Sequence, residues 1–299
     1  MTSPDLAPPR RADLRRLAEN ALAEDRAYQD VTTSALVPQD QSGRGVIIAK
    51  AEGVLAGLPV ARAVFLTVDG SLAWQPRSED SDPVSPGDRI ATIEGSLAPI
   101  LRAERAALNY LTHLSGVATA TAALVRALEG TACRLRDTRK TTPGLRALEK
   151  YAVRVGGGTN HRPNLAEGVL IKDNHLAALR ARAVPAGRQG LGIADAVRLA
   201  REATPEMPIE IEVTSVEEAR QALDAGADEL LLDNMPPDAM REVVALAAAR
   251  EGRPLLEASG GITLDNARQV AETGVDFISV GAITHSAKAL DMSLDVAAV

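Results

Sequence analysis

The chain has 299 residues, of which 45% are hydrophobic, 24% charged and only 2% aromatic, and its formal net charge is -7. This is globular composition, with a core to be packed from Ala, Val, Leu and Ile and enough length for a barrel or two domains. The acidic balance and the scarcity of aromatic stacking platforms exclude a non-specific nucleic-acid binder and a protein drawn to an anionic membrane, so an anionic ligand must meet a local cluster of cations.

The lone cysteine, Cys133, permits no intrachain disulfide, and no apolar signal segment follows Pro8-Pro9-Arg10-Arg11. No stretch approaches the roughly 18 consecutive apolar residues of a membrane helix. A soluble, cytoplasmic protein with neither membrane nor nucleic-acid partner is expected. Residues 1–12 begin Pro-rich and are expected to be disordered. Between Asp13 and Asp25, residues Leu14, Leu17, Ala18, Ala21 and Leu22 share one helical face. β-like runs at Gly45–Ala49 and Arg89–Ile93, separated by turn signals such as Ser85-Pro86-Gly87-Asp88, predict a small sheet domain. From Pro99 to about Glu129 the pattern is helical, with Leu101, Leu108, Leu111 and Leu114 inward and Arg102, Arg105 and Asn109 on another face. A break is expected near Ser115-Gly116, and residues 13–130 form the first domain.

Beyond Thr131 short β-rich runs alternate with helical segments, the grammar of a parallel sheet or barrel over residues 131–284. The strand candidates are Cys133–Arg136, Ala152–Val155, Val169–Ile171, Ile209–Val213, Glu229–Leu232, Pro254–Glu257 and Phe277–Val280. Ser215 with Glu218 makes a capping box, and Gly226 and Gly274 stand where helices end. Residues 285–299 are expected to pack back on the first domain.

In such folds the site lies at the carboxyl ends of the strands. Three consecutive ends carry Arg139 and Lys140, then His161 and Arg162 behind Gly156-Gly157-Gly158, then Lys172, which together make a receptor for a multiply charged anion. The triple glycine suggests close backbone approach by a ligand. The next ends change sign. Glu210 and Glu212 share one face of their strand, and Asp233 ends the following one, so Glu212 and Asp233 can hold a hard divalent cation or pair with Lys140 and Lys172. Ser259-Gly260-Gly261 and Gly281, with His285 shortly after, are placed to cradle a phosphate through backbone N–H groups. A phosphorylated sugar with a second anionic group fits this set.

The runs Thr138-Arg139-Lys140-Thr141-Thr142-Pro143-Gly144-Leu145-Arg146, Asn160-His161-Arg162, Leu170-Ile171-Lys172-Asp173-Asn174-His175, Leu232-Asp233-Asn234 and Val280-Gly281-Ala282-Ile283-Thr284-His285-Ser286 resemble the nicotinate-nucleotide pyrophosphorylase, or quinolinate phosphoribosyltransferase, family. The resemblance runs over nearly the whole chain. It implies an α/β fold of type II phosphoribosyltransferase kind, an N-terminal α/β sandwich beside an open α/β-barrel of mostly parallel strands, in a homodimer with sites at the interface. It implies that Arg139, His161 and Arg162 bind the carboxylates of quinolinate, with Arg105 reaching across from the partner. Lys140, Lys172, Glu212 and Asp233 then surround the ribose and magnesium pyrophosphate of phosphoribosyl pyrophosphate, the catalytic group, while Ser259, Gly260, Gly281 and His285 hold the 5′-phosphate. The metal implied is Mg2+ on Glu212 and Asp233, with no organic cofactor. Two departures stand out: Gln29 precedes Asp30 where the family usually has Gly, and Pro163-Asn164 follows Arg162 where an apolar residue and Gly are usual. The alternatives are a same-fold paralogue encoded with molybdate transport, acting on another pyridine or other substrate, and a non-catalytic sensor of a phosphate ligand.

Overall fold

The computed structural model describes residues 6–181 and 191–298. The expected disorder of residues 1–12 falls partly, at residues 1–5, outside the described residues. In chain order the elements are α1 (Arg11–Glu24), a 3-10 turn (Ala27–Gln29), α2 (Val31–Leu36), β1 (Ser42–Ala49), β2 (Gly53–Val54), α3 (Leu58–Val68), β3 (Ala73–Pro76), β4 (Pro83–Val84), β5 (Arg89–Ser96) and α4 (Leu97–Ala127). There follow β6 (Arg134–Arg136), α5 (Arg146–Val155), β7 (Val169–Ile171), α6 (Asp173–Arg180), α7 (Ile193–Ala203), β8 (Ile209–Val213), α8 (Val216–Asp224), β9 (Glu229–Asp233) and α9 (Pro237–Ala248). The chain closes with β10 (Leu255–Ser259), α10 (Ala267–Ala271), β11 (Phe277–Ser279), α11 (Ala282–His285) and β12 (Met292–Ala298).

Two compact units divide the chain: residues 1–122, 140–158 and 282–299 form the first, and residues 123–139 and 159–281 the second. The segment 140–158, read from sequence as part of the 131–284 barrel, thus groups with the first unit. There, β12, β1, β5 and β3 form an antiparallel sheet in that order, with β12 paired along the length of β1 from Gly43 opposite Ala298 to Ala49 opposite Met292. Its core is hydrocarbon. Leu22, Ile47, Phe65, Ile90, Ile93, Ile100 and Leu111 have almost no exposure, consistent with α1 burying Leu14, Ala18 and Leu22 at helical spacing.

The second unit holds six parallel strands in the order β6-β11-β10-β9-β8-β7, open between β6 and β7. This is a barrel-like α/β sheet with β6 and β7 at its edges. Ser215 Oγ accepts from the Glu218 N–H at 3.2 Å, but the Glu218 carboxylate reaches the Thr214 N–H at 2.9 Å, one residue before the position a capping box uses. Gly226 and Gly274 close α8 and α10 with φ of +79° and +96°, a conformation that favours glycine.

Three expectations are corrected. Ala152–Val155 is not a strand but the end of α5, whose residues Leu148 to Val153 and Val155 are all buried. Its β-branched Val153 and Val155 mimic a strand when that short apolar end is read alone, whereas Arg146, Glu149, Lys150 and Arg154 recur at helical spacing over the whole element. The extended backbone comes later, at Thr159, which bridges Arg136 in parallel fashion along the edge of β6. Next, α4 runs unbroken for 31 residues through Ser115-Gly116. Ser115 points its hydroxyl at Ala56, accepting from its N–H and donating to its C=O. Gly116 is small because a Cβ there would lie 2.2 Å from the Lys288 carbonyl oxygen. Finally, Gly156 and Gly158 serve packing within the first unit: a Cβ at Gly156 would come 2.5 Å from the Ala118 carbonyl oxygen, and one at Gly158 within 2.9 Å of both Val153 and Thr121. Gly156 and Gly158 are thus explained by neighbouring protein, and Gly157 has φ of +88°, a conformation that favours glycine.

Candidate active site

The second unit gathers charge at the carboxyl ends of its strands. Just beyond β6, Asp137 is fully buried and accepts from the His161 backbone N–H at 2.8 Å and the Asn160 side-chain amide at 2.7 Å. One carboxylate thereby fastens the start of the Asn160-His161-Arg162 run to the end of a strand. The His161 ring then turns inward, with Nε2 2.8 Å from Glu210 Oε2. Arg162 donates from Nη1 to the Gly168 carbonyl at 2.7 Å, while its Nε is buried without a hydrogen-bond partner. Burial, and then the like charge of Arg139, hold the Arg162 guanidinium below its ordinary pKa, with Glu210 opposing. Two guanidiniums that feel one another this way, one with an orphaned donor, are poised for an anion. Pro163-Asn164, the departure from the family pattern, begins a turn in which Asn164 Oδ1 accepts from the Ala166 N–H at 2.8 Å and its amide donates to Glu167 at 2.7 Å.

A second group is acidic. Lys172 precedes α6, and its Nζ lies 3.5 Å from Glu212 Oε2. Burial raises the Glu212 carboxyl above its ordinary pKa, the Lys172 ammonium opposes, and the Asp233 carboxylate adds to the rise. The sequence alternative in which Lys172 pairs with a carboxylate is thus realised at Glu212, and Asp233 is close enough to be felt. Two carboxylates with incomplete cationic compensation are the hard-oxygen donor set that suits a divalent ion such as magnesium.

At the next strand end Ser259 stands in register with Asp233, and its carbonyl accepts from the Asn234 N–H at 2.9 Å. Gly260 has φ of +91°, and a Cβ on it would lie 2.3 Å from Asn234 Oδ1, so only glycine fits this turn. Gly281 follows β11. Arg105, Lys140 and His285 belong to the first unit. Arg105 lies on α4 with its side chain 65% exposed, 3.8 Å from Glu104. The Lys140 carbonyl accepts from Thr284 Oγ1 at 2.8 Å, and His285 Nδ1 sits 2.6 Å from Ser286 Oγ.

Sequence reasoning missed the layer beneath the mouth. Arg136 donates from Nη1 to both Glu229 and Glu257 at 2.5 Å, and its guanidinium lies 3.5 Å from the centre of the Phe277 ring. Burial pushes the Glu210 carboxyl up to about 8, helped by Glu229 and opposed by Arg136. Burial, with Glu210 adding, likewise raises the Glu257 carboxyl, which Arg136 opposes. Among the described residues, His161, Glu210 and Glu257 are the group whose ligand atoms, all within 4.8 Å, could hold a metal. The guanidinium of Arg136 already faces Glu257, so this cluster has a cation of its own. A signal existed in the sequence: Arg136, Glu210, Glu229 and Glu257 are charges inside short parallel strands that should read as continuous apolar runs.

The family model for the quinolinate phosphoribosyl transferase C-terminal domain matches residues 117–295, and that for the N-terminal domain of the same family matches residues 30–115. The chain is 43% identical over 279 residues to the nicotinate-nucleotide pyrophosphorylase [carboxylating] of Mycobacterium leprae, covering 92% of this chain and 94% of that one. It is 41% identical over 284 residues to the probable nicotinate-nucleotide pyrophosphorylase of Bacillus subtilis, covering 95% of this chain and 93% of that one. The solved nicotinate-nucleotide pyrophosphorylase from Francisella tularensis superposes with a TM-score of 0.86 at 38% identity, covering 96% of this chain and 97% of that one. Whole-length similarity of this kind, over both domains and in the right order, means that the chain belongs to the quinolinate phosphoribosyl transferase family.

Proposed function

We propose that the protein transfers the phosphoribosyl group of phosphoribosyl pyrophosphate to quinolinate, releasing pyrophosphate and carbon dioxide and yielding nicotinate mononucleotide for NAD synthesis. The observation that carries this reading is that one unit holds both an arginine pair, Arg139 with Arg162, and a carboxylate pair, Glu212 with Asp233, with Glu210 close enough to be felt by both Arg162 and Lys172. Quinolinate is a dianion and the other substrate carries more charge, so the free reactants repel. Arg139 and Arg162 suit carboxylates because a planar guanidinium can bind them through two parallel hydrogen bonds, and the buried Nε of Arg162 lacks an acceptor of its own. His161, with its ring anchored by Glu210, completes that pocket.

Lys140 and Lys172 serve the pyrophosphate as compact point charges. Glu212 and Asp233 would hold Mg2+, and their carboxylates stabilise the positive charge that grows on the ribose as pyrophosphate departs. Magnesium bound there would supply neutralisation of the leaving group. The pyridine nitrogen attacks the anomeric carbon as the bond to pyrophosphate breaks, the adjacent carboxylate then leaves as carbon dioxide with its bonding electrons held at C2 of the quaternised ring, and C2 takes a proton from water to give nicotinate mononucleotide. Ser259, Gly260, Gly281 and His285 take the 5′-phosphate. No organic cofactor is required.

The working form is a homodimer in which Arg105 acts in the partner's site. Its exposed side chain supports this, as do Tyr28, Val31 and Leu36, apolar side chains 60%, 80% and 75% exposed within one short segment of the same unit. Among the described residues no helix is long and apolar enough to cross a membrane, and a cytoplasmic location is proposed. Incubation with quinolinate, phosphoribosyl pyrophosphate and magnesium tests the reading: nicotinate mononucleotide must form, and binding of either substrate without pyrophosphate release would mark a sensor instead.

A further inference from the structure

Glu210 touches no substrate in the reading above, where it only meets the His161 ring, yet it is one of the most deliberately placed side chains in the second unit. It sits in the middle of β8, paired in register with Leu170 of β7 on one side and Glu229 of β9 on the other. Only 6% of it is exposed, and one of its carboxylate oxygens, Oε1, is buried without a hydrogen-bond partner. The other, Oε2, meets His161 Nε2 at 2.8 Å. Burial and the neighbouring Glu229 both disfavour a charged carboxylate here, with Arg136, Arg162 and Lys172 opposing, so this glutamate is a costly way to fill the volume unless its bond to His161 matters.

We propose that Glu210 is a positioning residue that fixes the orientation of the His161 ring, and thereby the affinity of the quinolinate pocket. His161 follows a strand edge and is not itself part of a strand. Asp137 ties its backbone and does not itself set the ring torsion about Cβ–Cγ, where the preference is broad and roughly two-fold. The bond to Glu210 acts on that torsion directly. It holds Nε2 against a buried carboxylate and so biases the plane in which the remainder of the imidazole is presented. The anchor stands on β8, which is held on both sides by the parallel ladder. Glu257, clamped by Arg136, offers a carboxylate oxygen within 4.8 Å of a ligand atom from each of Glu210 and His161. Glu210 thus acts on the ligand only through His161. A pre-oriented group binds a planar dianion without first losing rotational freedom.

The inference rests on the proposed role of His161, and the test is a double-mutant cycle with both substrates varied. Glu210→Ala should raise KM for quinolinate about tenfold and leave KM for phosphoribosyl pyrophosphate within about twofold, and Glu210→Gln, which keeps a hydrogen-bonding atom near Nε2, should recover most of the loss. The protein carrying both His161→Ala and Glu210→Ala should be no worse than His161→Ala alone, since an anchor has no effect once the ring is gone. Additive losses, or equal rises in KM for both substrates, would overturn the proposal. If His161→Ala itself leaves KM for quinolinate unchanged, the assignment of the pocket is at fault and not the anchoring. Should the Glu210→Ala protein not fold, Glu210→Leu fills the space without a hydrogen-bonding atom and completes the same cycle. Thermal unfolding of each variant separates loss of fold from loss of aim.

Discussion

The two sheets of this protein are built on opposite principles. The antiparallel sheet of the first unit rests on a hydrocarbon core around Phe65, Ile90, Ile93 and Leu111. The parallel sheet of the second carries Arg136, Glu210, Glu229 and Glu257 in its strands, with Arg136 bridging two carboxylates. An apolar interior stabilises a fold without directing chemistry, whereas buried charges weaken it unless paired and are retained where they orient something. The comparison assigns stability chiefly to one unit and recognition chiefly to the other.

The sharpest test of that division is removal of the metal. With a strong chelator in excess, turnover should fall by more than about 100-fold if, as proposed, Glu212 and Asp233 hold an ion that neutralises the leaving group, while the unfolding temperature stays put. Undiminished turnover would remove the metal from the account.

Arg105, like Lys140 and His285, is a proposed exception to the division, a first-unit side chain with a role in recognition. Arg105→Ala and Lys172→Ala proteins should each be nearly inactive. Mixed with verified subunit exchange they should recover up to about a quarter of wild-type activity, since half the dimers then hold one intact site. Mixed dimers that stay inactive would return Arg105 to its own subunit's site or remove it from any.

Smaller effects sharpen the contrast. Arg139→Lys keeps the charge and loses the fork, so KM for quinolinate should rise about tenfold and that for phosphoribosyl pyrophosphate much less. Equal losses would move Arg139 to the other substrate. In the first unit, Ile93→Ala should cost about 2–5 kcal/mol of stability by leaving a cavity, read by denaturant titration, with both KM values unchanged. A large KM change there would break the comparison.

The smallest expected effect is on pH. Burial, with the Glu210 charge adding, holds the Glu257 carboxyl up at about 7, above its unfolded value of 4.5. A raised carboxyl pKa favours the fold while the group is protonated, so this contribution is full below pH 4.5 and is lost as pH rises through about 7. The unfolding midpoint of the wild type should therefore decline between pH 5 and 8 more steeply than that of Glu257→Gln. Parallel curves would show that Glu257 does not titrate in that window.

How far these features could be read from sequence differs by element. The run Ile209 to Val213 shows its strand and its inward carboxylates directly, since residues of like direction recur every second position. Amphipathic α1 is equally open. By contrast α5 shows charge at helical spacing in Arg146, Glu149, Lys150 and Arg154, and only its apolar end, Ala152 to Val155, resembles a strand when taken alone. Gly116, Gly156 and Gly158 look like breaks or ligand loops until the chain that approaches them, from Lys288 and from Ala118 and Thr121, is seen in space. Arg139, Lys172, Glu212 and Asp233 were readable because they end or follow strands in order, whereas His161 and Arg162 were found through a strand that proved to be the end of α5. The anchors behind them, Asp137 and Glu210, depend on contacts across 24 and 49 residues that no local pattern contains.

The central claim is that these strand ends bind quinolinate as a dianion and carry it through to loss of one carboxylate. Quinolinate labelled at the 2-carboxylate, supplied with phosphoribosyl pyrophosphate and magnesium, tests it most directly. Labelled carbon dioxide, pyrophosphate and nicotinate mononucleotide should appear in equal amounts, and nicotinate in place of quinolinate should not be turned over. Label retained in the nucleotide, or turnover of nicotinate in preference to quinolinate, would contradict it.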